Sequence, residues 1–321
     1  MIIAVDLMGS DTPPEMLLKA CIETAKKFAP KIQLLFIGTK NLEALAKKEK
    51  AHFKKAKNVI TMDDNPLFAL RRKKDSSIAI GMKLLKEKKV DAFVSAGNTG
   101  ALVCSAKMTL PMLPGISRPG LLALFPGKNK SIAVMDIGAN VSAKVKNLSD
   151  YALLATSFKK IQGVSNPSVA LLNIGTEEKK GTALMKKAYC ELKKNAQTTK
   201  AFNFIGNIEG KEVFDSNDLD VLITDGFTGN IFLKTAEGMA NFILMKSKKI
   251  PKTYFDDLKK YLNYEQYPGA ILCGMDGLVV KCHGYASDVT FAKGVINAAK
   301  FAEQDLINSI KENISNIGIS K

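Results

Sequence analysis

The residues best suited to chemistry are small, polar or acidic, and they recur at the ends of short apolar runs. In residues 221–235 the run Val221-Leu222-Ile223-Thr224 leads into Asp225-Gly226-Phe227-Thr228-Gly229-Asn230, and a helical pattern follows at once. Gly226 and Gly229 let the backbone turn sharply and approach a ligand closely. Free amides at the start of a helix form an anion site. Asn230 reads in two ways, as the cap of that helix or as an amide aimed at a substrate. Taken alone, such a glycine loop is more often an ordinary strand-to-helix connection.

The arrangement repeats. Asp6 and Gly9 follow the run at 2–5, and Ser95, Gly97, Asn98 and Thr99 follow Ala92-Phe93-Val94. Asp136 and Asn140 follow the run at 132–135, while Gly175, Thr176, Lys179 and Lys180 follow the run at 169–174. Small residues let backbone amides converge on phosphate. Asn98 and Thr99 read as phosphate contacts, or as the cap of a helix near Ala101. Lys281 and His283 close a later run, and Arg118 lies in a proline-rich loop at 110–120. Several other chemistries lack support. There is no G-x-G-x-x-G in the first loop, no P-loop and no G-x-S-x-G. Two histidines without Cys or His at zinc-ligand spacing argue against a protein-held metal, and no cofactor is expected.

The elements that must position these residues alternate. Runs at 2–5, 32–37, 59–62, 92–94, 121–124, 132–135, 169–174 and 221–224 read as strands, separated by helical patterns. Ser76 or Ser77 caps a helix at 78–85, preceded by the charged stretch Arg71-Arg72-Lys73-Lys74, a solvated surface or a cationic lid. Gly206-Asn207-Ile208-Glu209-Gly210 reads as a further loop, and one long helix from about Asp288 closes the chain. Most strands are apolar throughout, so both faces are covered. That predicts a three-layer α/β/α sandwich with a largely parallel sheet, in one domain over 1–321. In such sheets ligands bind beyond the carboxyl ends of the strands, so these loops are expected to meet in one pocket.

The chain has 321 residues, 46% apolar, with 47 Lys+Arg against 31 Asp+Glu and a net charge of +16. That excess favours an anionic partner: phosphate, an acidic protein, an anionic bilayer or nucleic acid. The lysines are dispersed and no basic-aromatic strand motif is present, which counts against nucleic acid. Five cysteines without CxxC spacing read as buried thiols in a reducing cytosol. No leader or spanning helix is read. A basic, apolar helical hairpin at about 238–262 carries Phe242, Ile243, Met245 and Ile250 with Lys246, Lys248, Lys249, Lys252, Lys259 and Lys260. Tyr254, Phe255, Leu258 and Leu262 share one face of it, suited to a bilayer surface or to a dimer contact.

Nine segments in order, IAVDLMGSD, RRKKDSSIAIGMKLLK, VSAGNTGALVCSA, PGISRPGLLALFP, MDIGANVSAK, LLNIGTEEKKG, NFIGNIEG, VLITDGFTGNIFLKT and LVVKCHG, closely resemble the PlsX phosphate acyltransferases. The resemblance runs from Ile2 to about Ala299. It implies transfer of a fatty acyl group from acyl carrier protein to orthophosphate, and a fold like isopropylmalate dehydrogenase and phosphotransacetylase. It also implies a homodimer attached peripherally to the cytoplasmic membrane, supplying a membrane glycerol-3-phosphate acyltransferase. Departures fall on loop rims. Ser10 stands for a second glycine, Thr12-Pro13 for His-Ala, Cys282 for Ala, and Tyr285-Ala286 for small serines.

The chemistry that follows is direct attack by phosphate on a thioester. A thiol with a pKa of about 8.5 leaves without strong acid help. The protein then holds phosphate, places the carbonyl and stabilises the oxyanion, with no Ser-His-Asp set. Lys180 is the first choice for a phosphate or oxyanion contact, a choice the resemblance shares, with Lys179 a candidate beside it. Asn230 is the matching choice for a hydrogen bond. Asp225 and Asp136 orient amides and lysines rather than act as bases. A coenzyme A-dependent short-chain phosphate acyltransferase is the competing enzyme, and a basic nucleic-acid-binding protein the competing non-enzyme. A dehydrogenase is suggested by fold analogy only.

Overall fold

The computed structural model describes residues 1–28, 31–247, 251–262 and 268–317. The chain forms two compact units, Met1–Pro114 with Pro268–Lys311, and Gly115–Tyr267 with Glu312–Lys321. The sequence carries no linker to mark the division at 114–115 or the return at 267–268, and it reads as one domain for that reason.

The first part of the chain runs β1 Ile2–Asp6, α1 Pro14–Phe28, β2 Gln33–Gly38, α2 Glu43–Lys48, β3 His52–Lys55, α3 Pro66–Arg72, α4 Ser77–Lys86, β4 Ala92–Ser95 and α5 Thr99–Thr109. The middle runs β5 Gly120–Pro126, β6 Ser131–Met135, α6 Val145–Ile161, β7 Ser168–Asn173, α7 Ala183–Thr199, β8 Asn203–Glu209, β9 Val221–Ile223, α8 Gly226–Lys246 and α9 Lys252–Leu262. The chain then adds β10 Ala270–Cys273, β11 Leu278–Lys281, α10 Asp288–Glu303 and α11 Leu306–Asn316.

In the first unit the strand order is β3-β2-β1-β4-β11-β10, parallel except for β10 against β11. In the second it is β5-β6-β9-β7-β8, parallel except for β5 against β6. Central strands are buried without alternation: every residue of β4 and of β9 is buried. A parallel sheet reached through helical crossovers is covered on both faces, and its strands therefore read as continuous apolar runs. Helices α4 and α10 pack on β1 and β4, and α6 and α8 on β6. The largely parallel α/β class predicted from these runs is the class observed.

Helix starts follow local chemistry. Ser76 accepts from the Ala79 amide at 3.3 Å and caps α4, as expected. Thr182 and Ser287 cap α7 and α10 in the same way. Three element readings are corrected. Residues 59–62 form no strand; the strand is His52–Lys55, an edge strand with no buried residue, and so with no apolar run to betray it. Gly206-Asn207-Ile208-Glu209 lies inside β8, where a register shift against Val169/Ala170 leaves Ile205 as an extra residue. Gly206 takes φ +98°, a conformation open to glycine at such a bulge. The closing helix is two helices, broken where Asp305 adopts φ +48°.

Among the described residues no helix is long and apolar enough to cross a membrane. In the expected hairpin, Met239, Phe242, Ile243 and Met245 of α8 and Tyr254 of α9 are exposed, while Phe255, Leu258 and Leu262 are half-buried. Lys248, Lys249 and Ile250, and the side chains of Lys259 and Lys260, lie outside the described residues. Of the charged stretch, Arg71 and Arg72 end α3, and Lys73 is tied to Asp64 at 2.6 Å. Cys21, Cys273 and Cys282 are buried as expected, but Cys190 is exposed on α7. All five thiols are free, and burial pushes those of Cys273 and Cys282 up to about 12.

Candidate functional site

In the second unit, β6, β9 and β7 are adjacent and parallel, so their carboxyl ends share one edge of the sheet. Three of the predicted loops leave from that edge: Asp136 to Asn140 after β6, Asp225 to Asn230 after β9, and Gly175 to Lys180 after β7.

Asp136 is the centre of the first loop. It is fully buried. Its Oδ1 accepts from the amides of Leu121, Gly138 and Ala139 at 3.0, 3.0 and 2.8 Å. Its Oδ2 accepts from the Asn140 amide at 2.9 Å and from Asn140 Nδ2 at 3.0 Å. Burial pushes its pKa up, while these hydrogen bonds pull it back. A carboxylate with both oxygens engaged orients its neighbours and has no lone pair facing a substrate. Asn140 Nδ2 also reaches the Pro119 carbonyl at 2.7 Å and the Tyr151 hydroxyl at 2.9 Å. Asn140 thus ties the loop together, with both its amide hydrogens engaged inside the unit. Tyr151 was not legible as part of this cluster, because it lies inside an apolar helical pattern.

The start of α8 presses on this loop. A Cβ on Gly226 would collide with the Asn140 carbonyl oxygen, and one on Gly229 with the Asp136 carbonyl oxygen. The two glycines are therefore required for helix-to-loop contact. The helix begins at Gly226 with Asp225 as its cap: Asp225 Oδ1 accepts from the Thr228 amide and Oδ2 from the Thr228 hydroxyl, both at 2.9 Å. The cap reading of Asn230 is corrected, since Asn230 lies one turn inside α8. Its side chain is exposed and lies over Gly138, where a Cβ would sit 3.5 Å from Asn230 Cγ.

The third loop is held by two asparagines that the sequence reading did not single out. Asn207 donates to the Glu177 carbonyl at 2.9 Å, and Asn173 to the Lys180 carbonyl at 3.2 Å. Asn173 and Asn207 also bond each other at 3.2 Å. Asn207 lies on β8, and that place is what aims it here. Gly175 is buried beneath the Lys180 stem, a Cβ there coming within 3.0 Å of Lys180 Cγ. The Lys180 side chain is 51% exposed and pairs loosely with Glu177 at 3.7 Å. Thr176 and Lys179 are exposed on the same loop. Arg118 donates to the Ser142 carbonyl at 3.4 Å, beside the first loop.

In the first unit β1, β4 and β11 are likewise adjacent and parallel, ending at Asp6, Ser95 and Lys281. These ends bind one another. Ser95 Oγ donates to Asp6 Oδ2 at 2.7 Å and accepts from the Gly97 amide at 3.0 Å. Asp6 Oδ1 accepts from the Met8 amide at 2.9 Å. Burial lifts the Asp6 pKa to about 6 against the pull of these bonds, of Ser77 and of Lys281. Lys281 is buried and donates to the carbonyls of Ala96 and Cys282. Gly9, at φ +76°, approaches Gly97, where a Cβ would meet Gly97 Cα at 3.1 Å.

Asn98 takes the capping role. Its Oδ1 accepts from the Ala101 amide at 3.0 Å, and its Nδ2 is turned to the carbonyls of Thr61, Met62 and Asp64 at 3.0–3.3 Å. Its side-chain amide is thus occupied by the cap and by these carbonyls. Thr99 opens α5 beside it, half-buried. His283 stacks at a tilt on Tyr285, ring centroids 5.2 Å apart. The sequence departures meet in space: Ser10 Oγ donates to the Gly284 carbonyl at 2.8 Å and Thr12 Oγ1 to the Ala286 carbonyl at 2.7 Å.

A family model described as a fatty acid synthesis protein matches residues 1–309. The phosphate acyltransferase of Clostridium tetani (strain Massachusetts / E88) is 38% identical, covering 98% of this chain and 98% of that protein. The phosphate acyltransferase of Chlamydia pneumoniae is 36% identical, covering 97% of this chain and 98% of that protein. Among solved structures, a phosphotransacetylase from Streptococcus pyogenes matches with TM-score 0.65 at 17% identity, covering 94% of each chain. EutD phosphotransacetylase from Staphylococcus aureus matches with TM-score 0.60 at 18% identity, covering 93% of this chain and 94% of that one. At such identities the likeness shows the fold. Near-complete alignment with those relatives shows the rest: the chain belongs to the PlsX family of phosphate acyltransferases and is an acyltransferase.

Proposed function

We propose that this acyltransferase moves a fatty acyl group from acyl carrier protein to orthophosphate, giving an acyl phosphate for phospholipid synthesis. One observation carries the reading. The edge formed by β6, β9 and β7 offers an exposed lysine, Lys180, and an exposed amide, Asn230, above a fully satisfied scaffold built on Asp136.

Lys180 supplies a point charge for the phosphate or the developing oxyanion, and Asn230 supplies an N–H donor. Gly175, Thr176, Lys179, Gly226, Thr228 and Gly229 shape the same edge, and Asp136 and Asp225 hold its backbone. A phosphate oxygen bonds to the thioester carbonyl carbon, giving a tetrahedral oxyanion. That oxyanion collapses with loss of the C–S bond, and the sulfur leaves with the electron pair. No acyl-enzyme is formed. Burial makes the thiols of Cys273 and Cys282 poor nucleophiles.

The net charge of +16 favours an anionic donor, which an acidic carrier protein is. The same reading takes the enzyme to work as a homodimer at the anionic inner face of the membrane, supplying a membrane glycerol-3-phosphate acyltransferase. It is supported by exposed Met239, Phe242, Ile243 and Met245 on α8.

The deciding experiment is phosphate-dependent thiol release, with acyl phosphate detected by phosphorus NMR, from matched thioesters of acyl carrier protein and of coenzyme A. Preference for the carrier-protein thioester is expected. Preference for a short-chain coenzyme A thioester would replace this reading with the competing one. Trapping an acylated side chain during turnover would overturn the direct mechanism.

A further inference from the structure

The edge formed by β6, β9 and β7 is polar in its backbone design, yet it carries four large apolar side chains in water. Val141 is 78% exposed, Ile174 80%, Phe227 58% and Ile231 51%. Each is the sequence neighbour of a residue already placed at this edge: Asn140, Gly175, Gly226 and Asn230 respectively. Phe227, Asn230 and Ile231 stand at i, i+3 and i+4 on α8, so they share one helical face. Val141 and Phe227 flank the point where the Asn140 carbonyl meets Gly226. Single exposed apolar residues are ordinary, but apolar residues gathered beside a polar site mark a ligand with an apolar part.

We propose that Val141, Ile174, Phe227 and Ile231 form the surface along which the acyl chain of the thioester lies. The proposal rests on the acyl-transfer reading above and deepens it to chain-length selection. The occupant follows from the chemistry. An acyl thioester joins a polar reacting carbonyl to an apolar tail, and this edge joins Lys180 and Asn230 to an apolar rim. The exposed methionines and phenylalanine at the far end of α8 form a separate patch. Met239 lies twelve residues beyond Phe227, or about 18 Å along the helix axis.

The test compares palmitoyl- and butyryl-acyl carrier protein as donors to phosphate, using the full chain. The variants are Phe227→Gln with Ile231→Gln, and separately Ile174→Gln; glutamine keeps helix propensity while removing apolar surface. The ratio of palmitoyl to butyryl kcat/KM is expected to fall about tenfold in each. Butyryl turnover reports that each variant is folded. A constant ratio, or an equal fall with both donors, overturns the proposal. A constant ratio accompanied by a changed sedimentation coefficient overturns it in favour of a contact between two copies. Absence of acyl phosphate from either donor with the unaltered protein is a distinct result, which sinks the acyl-transfer reading itself.

Discussion

Asp6 and Asp136 stand at corresponding places, each at the carboxyl end of a buried parallel strand and each hydrogen-bonded through both oxygens. What surrounds them differs. In the first unit the neighbouring strand ends supply a hydroxyl and an ammonium that turn inward, with Lys281 itself buried. In the second, backbone amides and Asn140 satisfy the carboxylate completely, and the lysine and amide of the adjoining loops stay in water. A polar cluster that satisfies itself is a scaffold. A satisfied scaffold that leaves a cation and a donor exposed is equipped to meet an anion. The lesson is that the residue types at a strand end do not decide between scaffold and site; the number of internal partners does.

Substitutions can break or sharpen that contrast. The largest effect is expected for Lys180→Ala, a fall of about 10²–10³ in kcat/KM, as for loss of an oxyanion donor. The melting temperature should stay within the scatter expected for an exposed residue. Wild-type turnover in that variant would move the site elsewhere.

Gly229→Ala tests the scaffold. Helix propensity alone favours alanine by about 1 kcal/mol. The new Cβ would collide with the Asp136 carbonyl oxygen, a backbone atom that cannot rotate away. A net loss of about 2–3 kcal/mol is expected in denaturant titration. Added stability would show that α8 does not press on the Asp136 loop.

Asp6 gives a pH signature to the first unit. Its pKa is raised from 3.8 to about 6 by burial, so the folded state binds the proton more tightly than the unfolded state. Its contribution to stability is therefore fully present below pH 3.8 and declines as pH rises to about 6. Asp6→Asn should flatten that slope, by about 2 kcal/mol across the interval. Thermal melts from pH 4 to 7 would read it, and an unchanged slope would assign the titration to another group. The smallest effect belongs to Asn98→Ala. It should lower stability by about 1 kcal/mol through loss of the α5 cap. A rise in KM for phosphate larger than tenfold would instead assign Asn98 a binding role.

Much of the frame is legible in the sequence. Continuous apolar runs such as those of β4 and β9 announced a parallel sheet, because strands buried on both faces have no polar side to alternate with. Ser76 was readable as a cap because a hydroxyl beside an apolar helical pattern satisfies a free amide locally. The edge strand His52–Lys55 was not readable, since an exposed strand shows no apolar signature. The α8 cap falls to Asp225 rather than Asn230 because both side chains can cap, and only backbone geometry selects which one lies at the boundary.

The sequence by itself determined the class of fold, the order of the polar strand ends, the family and the supply of residue types for anion chemistry. Fold class and strand-end order rest on local periodicity, the supply of residue types on composition, and the family on the resemblance of nine segments in order. The tertiary structure alone decided which polar groups are spent. Whether an aspartate meets five donors or water, and whether Asn207 aims at the Lys180 loop, depends on residues distant along the chain. Hydrogen-bond satisfaction is a property of three-dimensional neighbourhood, and no spacing along the chain encodes it.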